Sequence, residues 1–586
     1  MNYTASEADQ SAAKLPGWRA SLLFALILLA LAGLLVRAFY LQGIHDEFLQ
    51  EKGNQRYSRV VEVSAHRGML TDRNGEPLAV STPVESVWAS PSVIKMGDLK
   101  DAKMDEQQLV KLAQLLSMRV SEVHDRLADT TRDFVYLKRQ LPPDQASEVS
   151  GLNLAGISLK REYRRYYPAG EEIAQTLGFT GQDDNGQEGL ELALQGDLAG
   201  KPGSQRVIKD RRGHMVEDAG SLQPPKPGAD IMLSLDLRVQ HLAYRELKLA
   251  VQKNKAKAGA VVVLDARSGE VLALANYPSY NPNNRAQLTP EQMRNRAVAD
   301  MFEPGSTMKP FTVATALETG KVKPDTVINT ENGVLTIANK KIHDTHPEPF
   351  LTVAQVIQKS SNVGASKIAL SLEPSVLWQT FSDAGFGAHT GSNFPGEAIG
   401  MLRDAHTWKP IEQATMSYGH GISVNLLQLT RAYTAFAGDG DIKPVSLVKL
   451  DAPAVGKRVF SEKTVGEMRA MLESVVLPGG TAPMAQIAGY RVAGKTGTAH
   501  KLEGHHYSNR YVASFVGFAP VSKPRVIVAV MIDEPEGGQY YGGLVAAPVF
   551  SQIAGETLRM YNVPNDAPLD NVIVPPTDAD SSREEV

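Results

Sequence analysis

Apolar residues are spaced unevenly along this chain, and the spacing changes character from one region to the next. From Ala20 to Val36 they run without a charge (ASLLFALILLALAGLLV), and Ala38, Phe39 and Leu41 carry the run past Arg37. A helix of this composition from Trp18 to Leu41 is long enough to cross a bilayer. The pattern then turns irregular as far as about residue 230. Val60-Val61-Glu62-Val63 partly alternates, as a strand does, whereas Leu109, Leu112 and Leu116 recur at helical spacing within Glu106–Leu116. Asp72-Arg73-Asn74-Gly75 and Pro168-Ala169-Gly170 mark turns, and Lys226-Pro227-Gly228 marks a boundary. Beyond it the pattern is cleaner. Val239, Leu242, Ala243, Leu247, Ala250 and Val251 form one helical face. Ala260–Asp265 and Val271–Asn276 predict strands whose short connection, Arg267-Ser268-Gly269-Glu270, implies an antiparallel hairpin. Tyr511–Phe518 and Arg525–Ile532 predict two more strands, and Val549–Tyr561 a closing helix. Helix, strands, a long middle, then strands and a helix imply an α+β fold, an antiparallel sheet covered by helices.

These shifts divide the chain into a polar tail over residues 1–17, a membrane anchor over 18–41, a non-catalytic module over 42–230, a catalytic domain over 231–563 and a disordered polar tail over 564–586. Lys14 and Arg19 precede the apolar run, and Trp18 and Tyr40 flank it as interfacial anchors. Positive flanks stay inside, so the N-terminus is expected in the cytoplasm and the rest of the chain outside. Ala30-Leu31-Ala32 could pass for a signal-peptide cleavage site. The apolar run continues beyond it, which favours an uncleaved anchor.

Composition narrows the field. With 586 residues the chain is too long for one compact domain. A hydrophobic content of 42% suits a globular protein with a real core. Lys plus Arg number 61 against 65 for Asp plus Glu, a balance that argues against a nucleic-acid partner. The absence of cysteine excludes disulfides, thiol nucleophiles and Cys-ligated zinc.

Three short polar motifs carry the candidate chemistry. In Ser306-Thr307-Met308-Lys309 the first and last residues are neighbours on one helical face. Glu303-Pro304-Gly305 halts regular structure just before, placing Ser306 near a helix N-terminus, where the dipole favours an alkoxide. Lys309 acts as a base only when neutral, and Met308, Phe302 and Phe311 could exclude water and lower its pKa. A serine hydroxyl needs such a base to become a nucleophile. Ser360-Ser361-Asn362 interrupts an otherwise helical run, Thr352–Leu370. It reads either as a local cap or as a proton relay, Ser360, beside an amide-binding group, Asn362. Lys495-Thr496-Gly497-Thr498 follows a predicted strand, Tyr490–Gly494. Lys495 and the threonine hydroxyls can hold a carboxylate. Gly497 leaves room for another backbone. The backbone N–H groups of Ser306 and Thr498 could form an oxyanion hole. Each motif alone has a bland alternative, such as a lysine guarding an exposed edge strand; the set and its order carry the reading.

S-x-x-K, S-D-N and K-T-G in this order are the motifs of serine β-lactamases and penicillin-binding proteins. The chain resembles the penicillin-binding transpeptidases, with Ser-Ser-Asn in the middle position. Arg67-Gly68-Met69-Leu70-Thr71-Asp72-Arg73-Asn74-Gly75, Tyr167-Pro168-Ala169-Gly170 and Gly189-Leu190-Glu191 resemble the membrane-proximal signatures of class B members. Glu303–Pro310, Lys359–Gly364 and Ser417-Tyr418-Gly419-His420-Gly421 are similar to the division-specific peptidoglycan D,D-transpeptidases. The resemblance covers nearly everything past the anchor. It implies an elongated pedestal or dimerisation-like module over 42–230, and a penicillin-binding domain combining the sheet with an all-helical subdomain. It also implies that Ser306 attacks the D-Ala-D-Ala bond of a peptidoglycan stem peptide and that Lys309 takes its proton. Ser360 then protonates the leaving amine, Lys495 binds the terminal carboxylate, and an amine of a second stem accepts the acyl group. β-Lactams are implied as acylating inhibitors. A membrane-embedded glycan polymerase and other division proteins are implied as partners, and the bacterial inner membrane, with the catalytic domain in the periplasm, as the location. The small residues Ala25, Ala30, Ala32 and Gly33 would permit close helix packing in lipid.

Tyr540-Tyr541-Gly542-Gly543, after the last predicted strand, is a candidate aromatic wall for substrate. His343-Asp344-Thr345-His346 and His505-His506 lack a third ligand at recognisable spacing, so no metal and no cofactor are expected. A β-lactamase shares the three motifs but needs neither anchor nor large N-terminal module. An elongation-specific transpeptidase, a D,D-carboxypeptidase and a catalytically silent division scaffold are the remaining alternatives.

Overall fold

The computed structural model describes residues 17–44, 58–96, 106–209, 215–504 and 506–573. Most of the expected N-terminal tail, Lys14 with it, the end of the C-terminal tail and His505 lie outside them. The apolar run forms one helix, α1 (Gly17–Phe39), which buries none of its residues within the chain. A one-turn π-helix, Tyr40–Ile44, continues it.

The chain divides into two compact units, and the last break between them falls at Lys226–Pro227. Residues 65–83 and 163–201 pack with the C-terminal unit. In the first unit, strand Ser58–Val63 pairs antiparallel with Gly203–Lys209, which pairs with Met215–Gln223. Residues 85–89 pair with strand Val135–Leu141. Helices Glu106–Leu115, Val120–Leu127 and Pro143–Gly151 close a small core around Leu112, Val123, Leu137 and Val149.

The C-terminal unit is built on five antiparallel strands. They are β1 (Ala258–Asp265), β2 (Val271–Tyr277), β3 (Ala493–Glu503), β4 (His506–Ala519) and β5 (Val526–Asp533), in spatial order β2-β1-β5-β4-β3. The expected hairpin is the β1–β2 pair, with Val262 opposite Leu274. Every residue of β1 and β5 is buried, so both faces of the sheet centre are covered. That explains their continuous apolar runs, which need no polar face. Helices α2 (Leu237–Lys253) and α6 (Ala547–Met560) pack on the sheet and on each other, and helix Leu426–Ala432 packs on β1 and β5.

A second subdomain lies between β2 and β3 in sequence. It contains α3 (Lys309–Glu318), α4 (Val353–Gln358) and α5 (Asn362–Leu370). It is not all-helical: residues 327–329 pair with 350–352, and 334–337 with 340–343.

The membrane-proximal signatures have structural work in this unit. Glu191 is fully buried between two buried guanidinium groups, Arg67 at 2.6 Å and Arg165 at 2.7 Å. Arg67 also donates to the Asp184 and Glu191 carbonyls and to Gln195. Asp72 accepts from the Asn74 and Glu76 N–H groups and, through its other oxygen, from the Leu237 N–H at the start of α2. Gly68 is required because a Cβ there would meet the Ala229 carbonyl at 1.9 Å.

Candidate active site

Pro304 and Gly305 break the chain before Ser306, and Gly305 adopts φ +58°. Residues Gly305–Met308 form a single 3₁₀ turn that leads straight into α3. In 3₁₀ geometry residues three apart eclipse one another. The result is the expected contact: Lys309 Nζ lies 2.8 Å from Ser306 Oγ. Lys309 is fully buried, with Met308 and Phe311 also inaccessible, whereas Ser306 keeps partial exposure.

The middle motif separates two roles that the sequence left mixed. Instead of one helix over Thr352–Leu370, α4 ends at Gln358 and α5 starts at Asn362. Between them Ser360 takes φ +62°, a left-handed conformation uncommon for a non-glycine residue. This turn points Ser360 Oγ at two amines, Lys309 Nζ at 3.1 Å and Lys495 Nζ at 2.8 Å. The Ser360 carbonyl also accepts from Lys309 Nζ. Ser361 is the cap: its Oγ accepts from the Gly364 N–H at 2.8 Å and donates to Asp344 Oδ2 at 2.6 Å. Asp344 Oδ1 accepts from the Val363 N–H. Asp344, considered with its histidines as a metal ligand, is thus committed to the start of α5. Asn362 donates from Nδ2 to the His343 carbonyl at 3.0 Å, one residue beyond the turn that carries Ser360 and Ser361.

The third motif lies inside β3, not after a strand ending at Gly494. The strand occupies the sheet edge, pairing only with β4 among the described strands, Lys495 opposite Val516 and Thr498 opposite Ala513. Lys495 is fully buried. Its Nζ reaches Ser360 Oγ and Thr496 Oγ1, and Thr496 Oγ1 lies 3.0 Å from Thr481 Oγ1. Gly497 is required by its neighbours: a Cβ there would sit 2.8 Å from the Pro304 carbonyl and 2.5 Å from Ser514 Oγ. The loop before Ser306 therefore rests directly on β3, and a Cβ on Gly305 would lie 3.6 Å from the Thr498 nitrogen. Thr498 Oγ1 accepts from the Gly542 N–H.

Three stretches far apart in sequence therefore converge on Ser306, Lys309, Ser360 and Lys495. The aromatic pair sits further along β3. Tyr540 stacks on Tyr511 with ring centroids 4.1 Å apart, and its hydroxyl lies 3.0 Å from that of Tyr541. Tyr541 is buried and Tyr540 partly exposed. His500 lies between Tyr511 and Tyr507, and His420 between Tyr507 and Tyr418.

Sequence reasoning missed the carboxylate on this side, Glu303. It accepts from the Gly421 N–H at 2.8 Å and from the Tyr507 hydroxyl at 3.1 Å, and burial holds its carboxyl above the ordinary value. Burial, above all, pushes the His420 imidazole down to about 4. Glu303 stands three residues before Ser306, and that adjacency was its only signal. Thr481 carried none beyond following two glycines.

Residues 259–555 match the penicillin-binding protein transpeptidase domain, and residues 62–233 the penicillin-binding protein dimerisation domain. The chain is 45% identical over 558 residues to the peptidoglycan D,D-transpeptidase FtsI of Escherichia coli K12, covering 94% of this chain and 93% of that one. It is 44% identical to a probable peptidoglycan D,D-transpeptidase, PenA, of Neisseria meningitidis, covering 94% of both chains. An apo structure of the TP domain of penicillin-binding protein 3 from Burkholderia pseudomallei superposes with a TM-score of 0.54 at 50% identity, covering 57% of this chain and 98% of that one. With both domain types in order behind a single apolar helix, the chain belongs to the class B penicillin-binding proteins.

Proposed function

We propose that this protein is the division-specific peptidoglycan D,D-transpeptidase of its cell, working through an acyl-enzyme on Ser306. The observation that carries the assignment is the shared hydroxyl: Lys309 Nζ touches both Ser306 Oγ and Ser360 Oγ, while Lys495 Nζ touches Ser360 Oγ from the other side. A neutral amine has two N–H donors and one lone pair. Lys309 can spend its donors on the Ser360 carbonyl and hydroxyl, leaving the lone pair for the Ser306 proton.

Ser306 Oγ then attacks the carbonyl carbon of the penultimate D-alanine, and its proton passes to Lys309. The tetrahedral oxyanion sits between the Ser306 and Thr498 backbone N–H groups, a pairing favoured by the contact of the Gly305 loop with β3. As the C–N bond breaks, a proton moves through Ser360 Oγ to the departing D-alanine amine. Lys495, with the Thr496 and Thr498 hydroxyls, holds the terminal carboxylate, and Asn362 lies at the cleft side to meet a substrate amide. Tyr540 and Tyr541 wall the upstream part of the donor. The edge of β3, which pairs only with β4 among the described strands, offers a row of backbone groups along which the donor can pair as an added strand. An amine from a second stem attacks the ester carbon, its proton leaves through the same relay, and Ser306 is released with a cross-link formed. β-Lactams acylate the same oxygen.

The protein is read as a single-pass membrane protein, cytoplasmic at its N-terminus, with its catalytic unit in the periplasm; Arg19 before the span supports that orientation. The fully exposed α1, with Ala25, Ala30, Ala32 and Gly33, suits packing against a membrane-embedded partner such as the glycan polymerase. The test is transfer by the full-length protein in detergent, given a D-Ala-D-Ala donor and a labelled amine acceptor. Label should appear in a cross-linked peptide. Release of D-alanine with hydrolysed donor alone, at saturating acceptor, would make the protein a carboxypeptidase.

A further inference from the structure

We propose that a cationic pocket at the far end of β3 receives a carboxylate of the donor peptide, upstream of the bond that Ser306 attacks; the inference rests on the transpeptidase reading. The cavity has a volume of about 240 Å³, and Lys257, Arg294, Arg296 and Lys501 line it together with Asp300 and Asp533. The charges in and around it do not cancel. Asp300 pairs with Arg294 and, at 3.0 Å, with Arg296. Asp533 pairs with Lys501 at 2.8 Å, and neighbouring Glu534 accepts from Lys501, Lys257 and Arg510. Three carboxylates thus serve five cations.

The decisive group is Arg296. It is only 8% exposed, and its Nε is buried with no hydrogen-bond partner among the described residues. A buried donor left unmet costs free energy that a ligand acceptor restores. The Arg296 side chain lines the cavity with Lys257, Arg294 and Lys501, so an oxygen anion entering it meets a cluster of cations. The resident Asp300 and Asp533 favour a monoanion over a doubly charged phosphate, which they would repel more strongly.

Position ties the pocket to the cleft. Lys501 follows Thr498 by three residues on β3, about 10 Å at strand rise. Phe302, which also lines the cavity, precedes Ser306 by four residues. A donor lying along β3 spans about 3.5 Å per residue. An acidic side chain one or two residues before the scissile alanine therefore reaches the pocket.

The experiment uses full-length protein in detergent. Four acyl peptides ending in D-Ala-D-Ala carry Glu or Gln at the first or the second residue before the scissile alanine. The readout is kcat/KM for D-alanine release, normalised to sites counted by stoichiometric penicillin labelling. Wild type should prefer Glu to Gln at one of the two positions by about tenfold. Arg296→Gln and, separately, the half-buried Lys501→Gln should each shrink that ratio towards one. Equal rates for Glu and Gln at both positions in the wild type would overturn the proposal, as would a ratio that survives in both variants. Should Arg296→Gln fail to fold, the wild-type ratio and Lys501→Gln decide. Failure of the transpeptidase reading is distinct: the wild type would then take no penicillin label and release no D-alanine, or, with a labelled amine acceptor added, would release D-alanine with no label in a cross-linked product.

Discussion

Adjacent serines in the middle motif should fail in opposite ways. Ser361 holds the start of α5: its Oγ caps the Gly364 N–H and donates to the Asp344 carboxylate. Losing an N-cap costs roughly 1 kcal/mol, and a hydrogen bond to a charged group contributes about 1.5–3 kcal/mol. The two share one oxygen, and Asp344 keeps its bond to the Val363 N–H. Ser361→Ala should therefore cost roughly 2–3 kcal/mol, an order-of-magnitude figure from those two contributions. Ser360 Oγ bonds to the side-chain amines of Lys309 and Lys495 and caps no helix. Ser360→Ala should leave stability nearly intact and lower acylation by roughly 10²–10⁴-fold, the usual worth of a positioned proton-transfer group. Thermal unfolding gives the first quantity and the second-order rate of labelling by a fluorescent penicillin the second. If Ser361→Ala melted like the wild type, or if it lost acylation while Ser360→Ala kept it, the division of roles between cap and relay would be wrong.

Other perturbations test the surrounding structure. Gly497→Ala puts a methyl against the Pro304 carbonyl; overpacking should cost about 1–3 kcal/mol, and the shifted Ser306 loop should slow acylation by about 10²-fold, both read on purified protein. Glu191→Ala leaves the guanidinium groups of Arg67 and Arg165 buried together; a loss of roughly 3–5 kcal/mol is expected, and a melt within a degree of the wild type would refute it. His420 titrates near 4 when folded against an ordinary 6.5, so the unfolded chain binds its proton first as pH falls. Its contribution is intact above pH 6.5 and is lost towards pH 4, at about 1.4 kcal/mol per pH unit. His420→Gln should flatten that slope relative to the wild type, and parallel slopes would contradict the burial argument.

Much of this architecture was legible because the signals were local. The uninterrupted Ala20–Val36 run, the β1–β2 hairpin and the Ser306–Lys309 spacing each depend on residues within one element. The break at Lys359–Ser361 was harder to read. Apolar periodicity continues across it, and no glycine marks the left-handed turn at Ser360, which the Ser361 N–H closes on the Val356 carbonyl. β3 was placed too early because Lys495 and Thr496 look like surface residues, yet both are buried by distant parts of the chain. Arg67, Asp72 and Glu191 are polar, and nothing nearby in sequence reveals that they pack into the C-terminal unit. Glu303 escaped notice because its partners, Gly421 and Tyr507, lie more than a hundred residues away.

Mass-spectrometric mapping of the covalent adduct after brief exposure of the full-length protein to benzylpenicillin bears on the core proposition more immediately than any rate. The adduct should sit on Ser306 alone, at one per chain, and Ser306→Ala should remain unlabelled while melting like the wild type. An adduct on another residue, or labelling that persists without the Ser306 hydroxyl, would contradict the account.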